Sequence, residues 1–342
     1  MNRPAWLLVT VALLLVAITS AQEFPVLPRW ETADVDAQPS RSGLDAHLAL
    51  ALDSADRPHI AYFDANTDSL AYAHLAAGPG GDVWRYDVID SGDVGQNVAI
   101  ALDSADRPYV SYYDNANDAL KVAFLDSGLW MVETIAAGGN YASLVVGSDD
   151  QPRVSYSVES QLYYAYRAGG AWTVEEVNQP EFLWVTGTSL ALDSTGTAYI
   201  AYHLADHPSG RLRFATRVGV DEWAIEPVAT GDIPNSPRAL ALDSSDRPVI
   251  VFNVAHPISV KPLHVDYRLM LASRSATGWT AEELLYKTNP NGWVFGFTTL
   301  SAAFDSLDNL HVAAISDIEP QVITFYRQDD QWRRGPGGRH AS

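Results

Sequence analysis

The sequence predicts an all-β chain: a six-bladed β-propeller of four-stranded blades. Three observations predict it. The octapeptide ALDSADRP stands at 51–58 and again at 101–108, and ALDSSDRP follows at 241–248. An apolar-Asp-Ser hallmark recurs at Asp53, Asp103, Asp193, Asp243 and Asp305, with Gly147 in its place in LVVGSDDQP, so six units follow one another at steps of 44 to 62 residues. Each unit carries four short runs rich in Val, Ile, Tyr and Ala, bounded by turn formers. Runs of this length and composition are strands, and four strands per repeat make a blade.

The elements follow in chain order. Residues 1–21 read as a secretory signal peptide: Arg3 is the positive start, residues 5–18 are apolar, and small residues precede Ala21. Residues 22–334 then form one propeller domain, and 335–342 a tail. Within each unit, strand A is an apolar stretch such as VAIALD. A turn such as SADRP leads to an aromatic strand B, YVSYYD. A second polar turn leads to strand C, ALKVAFL, and strand D begins with Trp, as in WMVETI. Trp30, Trp84, Trp130, Trp172, Trp223 and Trp279 each have an apolar residue five positions on, and Glu133, Glu175, Glu226 and Glu282 stand three positions after four of them. A Trp repeated in this register packs blade against blade. The strand at 30–36 precedes any complete unit, so it is expected to complete blade six and close the ring. Closure would remove exposed sheet edges. Trp332 opens a competing fourth strand for the same blade.

Composition narrows the function. The net charge is −20, and cleavage after Ala21 removes one Arg and no acid. Nucleic acid and anionic lipid need clustered Lys and Arg, which such a chain lacks. There is no cysteine, which excludes disulfides, thiolate metal sites and Cys nucleophiles. Beyond the signal, no run is long enough to cross a membrane as a helix. The expectation is a secreted or periplasmic monomer.

The pattern LALDSxDRPxIxYxD…LxYA…WxxExV resembles the exported bacterial propeller repeats of the sialidase-like (BNR-like) superfamily, over residues 30–332. The resemblance implies the fold. The sialidase Asp-box S-x-D-x-G-x-T-W is missing; DSTGTAY at 193–199 comes nearest and lacks its Trp. No acid with a Tyr–Glu nucleophile pair stands out, so no catalytic residue carries over.

The A–B turns share one end of the sheets, and the B–C and D–A connections the other. The second end is the usual binding face of propellers, an analogy of fold. Of the 10 Trp, the signal and the D strands account for all but Trp184 and Trp293. Both fall in D–A connections, with Phe182, Phe295 and Phe297 beside them. Such aromatics either stack on sugar rings or fold back to plug the channel. His203, His207, His256 and His264 fall near the B–C connections of blades four and five. Neutral imidazoles bind zinc or serve as general bases, although histidines in loops are more simply solvated. Asp64 and Asp68 in DANTD, and Asp114 and Asp118 in DNAND, offer the oxygen ligands calcium prefers, and equally are ordinary turn formers. No cofactor is required by any motif.

The reading is therefore a secreted propeller that binds a glycan through Trp184, Trp293, Phe182, Phe295, His203 and His256. Two alternatives stand beside it. One is an extracellular hydrolase or lyase acting on polysaccharide with a His or carboxylate on the same face. The other is a scaffold for a protein ligand.

Overall fold

In the computed structural model, residues 48–339 are described, except 65, 178–182, 207–208, 232–237, 261–262, 290–296, 317–320, 329–330 and 336–337. The signal peptide, the strand expected at 30–36, Phe182, Trp293 and Phe295 lie outside the described residues.

The chain is all-β, with six antiparallel sheets in sequence order, the blades of a propeller. Sheet one is β1 to β4 (Leu48–Leu52, Pro58–Asp64, Ser69–Ala76, Val83–Ser91). Sheet two is β5 to β8 (Val94–Leu102, Pro108–Asp114, Ala119–Asp126, Leu129–Ala137). Sheet three is β9 to β12 (Asn140–Val146, Pro152–Val158, Gln161–Ala168, Ala171–Glu176). Sheet four is β13 to β16 (Trp184–Leu192, Ala198–Asp206, Ser209–Gly219, Glu222–Gly231). Sheet five is β17 to β20 (Arg238–Leu242, Pro248–Val260, Leu263–Ser275, Gly278–Asn289). Sheet six is β21 to β24 (Phe297–Phe304, Leu310–Ser316, Gln321–Gln328, Gln331–Arg334), with β25 (Gly338–Arg339) also on β23. The fourth position of sheet six is thus filled by the Trp332 strand, the place the sequence reading gave to 30–36.

By packing the chain forms two compact units. One runs to Val154 and includes Ala165–Val174. The other holds Ser155–Tyr164 and everything from Glu175. In the first unit Ala61, Leu70, Tyr72, Val110 and Tyr112 form the core; in the second, Val251, Leu269, Leu271, Val312 and Ile323 do.

The repeated octapeptide is a turn with two jobs. Asp53 Oδ1 accepts from the backbone N–H of Ala55 (2.9 Å) and Arg57 (2.8 Å), and Oδ2 accepts from Arg57 Nε (2.8 Å). Asp103 and Asp243 repeat all three bonds. The second aspartate bends the chain. Asp56, Asp106, Asp246 and Asp308 take φ between 59° and 65°, the left-handed region that Asp tolerates better than most residues. Its carboxylate also reaches the preceding sheet. Asp106 accepts from Ser54 N (2.9 Å) and Ser54 Oγ (2.6 Å), Asp150 from Ser104, Asp246 from Ser194 and Asp308 from Ser244. The motif fixes its own hairpin and clips it to a neighbour.

This chemistry predicts acid sensitivity. The carboxyls of Asp53, Asp193 and Asp305 are held below the usual aspartate range: burial would raise them, but the donors of their own turns outweigh it. A carboxyl lowered by folding contributes stability that is complete above the pKa of an unfolded aspartate, about 3.9. That stability is lost as pH falls through the folded value. The melting temperature is expected to hold above about pH 5 and drop below about pH 4. A melting temperature unchanged down to about pH 2 would contradict it.

The D-strand tryptophans pack between neighbouring sheets as expected. Trp130 meets Tyr72 edge-on at 5.1 Å between ring centroids, Trp223 meets Tyr164 at 5.3 Å, and Trp279 meets Phe214 at 5.1 Å. The glutamate three positions on has a specific partner. Glu133 accepts from Arg167 (3.1 and 2.8 Å) and from Trp172 Nε1 (2.9 Å) of the next sheet. Glu175 does the same with Arg217 and Trp223.

Candidate functional site

The B–C and D–A end of sheets three to five carries an unusual polar group. β13 pairs with β14 as Val185↔Leu204 and then Thr188↔Tyr202, so Thr186 and Gly187 together face His203. This is a β-bulge, a device that re-aims side chains beside functional sites. Gly187 sits at φ 123°, and a Cβ there would lie 3.0 Å from the Arg238 guanidinium. Only glycine combines that backbone with that approach.

The bulge is held from three sides. Arg238, the first residue of β17, donates Nη1 to Gly187 O (2.5 Å) and Nη2 to Thr186 O (3.0 Å). His203 Nδ1 shares a 2.7 Å hydrogen bond with Thr186 Oγ1. From sheet three, Ser157 Oγ donates to Val185 O (3.1 Å), the Val185 N–H donates to Glu159 O (3.1 Å), and Ser155 Oγ donates to Thr188 Oγ1 (2.8 Å). Arg238, His203, Ser157 and Asn253 are all buried. Trp184 is the opposite: it directly precedes this braced segment and is 62% exposed.

The sequence-predicted residues fall as follows. Trp184 is exposed on this face, as the first residue of β13 rather than in a loop. His203 is a correction: it is not a solvated loop residue but a buried one on β14, 1% exposed, because the strand continues to Asp206. His256 lies on β18 opposite Asp266, and His264 on β19 opposite Ser259. His207 lies outside the described residues. Sequence reasoning missed Arg238, Thr186, Ser157 and Asn253. Arg238 carried a signal, since a charge stands five residues before Asp243 where sheets one and two have Leu48 and Val98.

The four aspartates proposed for calcium are engaged locally. Asp64 accepts from Asn66 N (2.9 Å) and Thr67 Oγ1 (2.8 Å). Asp68 is exposed at φ 47°. Asp114 is fully buried and accepts from Lys121 Nζ (2.5 Å) and from Asn117. Burial would raise its carboxyl, but Lys121 and Asn117 bring it below the usual range. Asp118 accepts from Tyr113 OH (2.5 Å), which pushes that phenol up to about 12. A cation beside Asp114 would displace an ammonium already paired there. Among the described residues no group of three or more His, Asp or Glu converges as a metal site, and no helix is long and apolar enough to cross a membrane.

No family model matches the chain, and no curated protein matches it. Solved structures do. A polysaccharide lyase, Uly1, aligns with TM-score 0.54 at 9% identity over 96% of this chain and 86% of its own. A lectin of Aleuria aurantia, solved with Fucα1-6GlcNAc, aligns with TM-score 0.49 at 13% identity over 89% of this chain and 99% of its own. The intramolecular trans-sialidase of Ruminococcus gnavus, solved with oseltamivir carboxylate, gives 0.46 at 10% identity over 79% and 89%. At such identities the lyase alignment speaks for a shared fold.

Proposed function

We propose that this protein is an exported carbohydrate-binding propeller that takes its glycan on the B–C and D–A end of sheets three to five, with Trp184 as the stacking platform. The observation that carries the reading is Trp184 itself. An indole 62% exposed presents a large, flat apolar face to solvent, with a polar N–H at its edge. It adjoins a backbone segment braced by Arg238, His203 and Ser157. A rigid platform loses little freedom on binding, which favours affinity. Sugar rings present apolar C–H faces to such an indole. Export rests on the pattern of residues 1–21.

The test is a glycan array, followed by calorimetry on the best ligand with wild type and Trp184→Ala. A central aromatic anchor contributes about 2 kcal/mol, so affinity is expected to fall about 30-fold with an unchanged melting temperature. No glycan bound by wild type, or equal binding by Trp184→Ala, sinks the reading.

A further inference from the structure

A different feature stands at the other end of the sheets, where the A–B turns lie. In three sheets the first residues to face one another across the B and C strands, just past that turn, are a pair of rings. His59 faces His74 with 5.4 Å between centroids, Tyr109 faces Phe124 at 5.7 Å, and His311 faces Tyr326 at 6.1 Å. In sheet five the same pair is Val249 and Ser273. Both are small, and beside them lies a cavity of about 530 Å³ between sheets five and six. That volume lies within the usual range for small-molecule sites.

The cavity retains the partners such rings use. Tyr199 in sheet four donates its hydroxyl to the turn aspartate Asp193 (3.2 Å), and His311 Nε2 lies 3.1 Å from Asp305. Val249 offers no ring donor to Asp243, which lines the cavity and whose Oδ2 accepts from Arg247 Nε (2.6 Å); the matching Oδ2 of Asp53 holds Arg57 Nε (2.8 Å) with His59 Nε2 also 3.6 Å away. On the opposite wall is Arg327, five residues before Trp332, as Arg167 stands five before Trp172. The Arg167 guanidinium lies 5.2 Å above the Phe124 ring. Leu271, Phe304 and Leu310 supply apolar walls. The hole has ample room for an aromatic ring, with an acceptor at its turn end and the Arg327 guanidinium beside it.

We propose that this cavity binds a small phenol: an aromatic ring in the place of the missing side chains, donating its hydroxyl to Asp243 and lying against Arg327. The site is separate from the Trp184 face and does not rest on the carbohydrate reading. Dispersion and cation–π contact favour the ring, and the hydrogen bond to a carboxylate selects the hydroxyl.

The test uses 4-fluorophenol with fluorine NMR on the full chain. Wild type is expected to bind it saturably at one site. Val249→Tyr combined with Ser273→Phe rebuilds the ring pair of sheet two, and is expected to weaken binding at least tenfold while the protein still melts cooperatively. If that double variant does not fold, Val249→Tyr alone is read in the same way. 4-Fluoroanisole, which lacks the donor, is expected to bind at least tenfold more weakly. No saturable signal from wild type overturns the proposal, as does unchanged binding in the filled variant. Equal affinity for the anisole overturns the phenol class.

Discussion

Replacing Glu175 with glutamine is expected to lower the unfolding free energy by about 3 kcal/mol, the lower end for breaking a buried ion pair from one side. The Glu175 carboxylate is 1% exposed and accepts from Arg217 Nε (3.0 Å), Arg217 Nη2 (2.5 Å) and Trp223 Nε1 (3.2 Å). Glutamine keeps the shape and removes the charge, so Arg217 faces a neutral amide and one of its N–H groups meets an amide N–H. The Arg217 side chain is 25% exposed, and water takes up part of the loss. Glu282 provides the control. Its ion pair with Arg327 is 3.5 Å long and both side chains are more than a third exposed. Exposed pairs contribute about 0.5 kcal/mol, so Glu282→Gln is expected to be nearly silent. Urea unfolding of the two variants separates them. If both cost the same, the buried clasp is not a source of stability.

Asp53→Ala is expected to cost about 3 kcal/mol, the sum of two backbone N–H bonds to a buried carboxylate at about 1.5 kcal/mol each. The change removes the acceptor for Ala55, for the Arg57 backbone and for the Arg57 guanidinium at once. The loss is expected to shrink as pH falls through the carboxylate range, because the wild-type carboxyl then also loses its charge. Chemical unfolding at neutral pH and at about pH 3 checks both parts. An Asp53→Ala protein as stable as wild type would mean that the turn closes on its backbone bonds alone.

The fold was legible because its local chemistry repeats. Asp-Ser-x-Asp-x-Pro states a turn geometry, and alternating apolar residues on either side state strands, so copies of the pattern announce six sheets. The tryptophan register was legible for the same reason. Its glutamate was visible as a recurring letter, but its partner was not, because Arg167 is 34 residues from Glu133 and no local rule joins them. The candidate site was half legible. Trp184 stood out by breaking the repeat. The fate of His203 did not, since strand length past Tyr202 depends on pairing with β15 and not on any turn signal. The bulge at Thr186–Gly187 had one signal, a glycine inside a strand pattern, which marks a bulge without saying what braces it. The cavity in sheet five was written in Val249 and Ser273, but the register that sets them opposite each other comes only from the folded sheet.

The serine-to-aspartate clip has a consequence for how such a chain can change length. The turns of sheets two and five each carry a socket, the aspartate, and a plug, the serine, so one such repeat holds both halves of a head-to-tail joint. A duplicated copy arrives with its connector already matched to its neighbours, and a deleted one leaves compatible ends behind. ALDSADRP at 51–58 and 101–108 is what a recent copying event of that kind would leave in the chain.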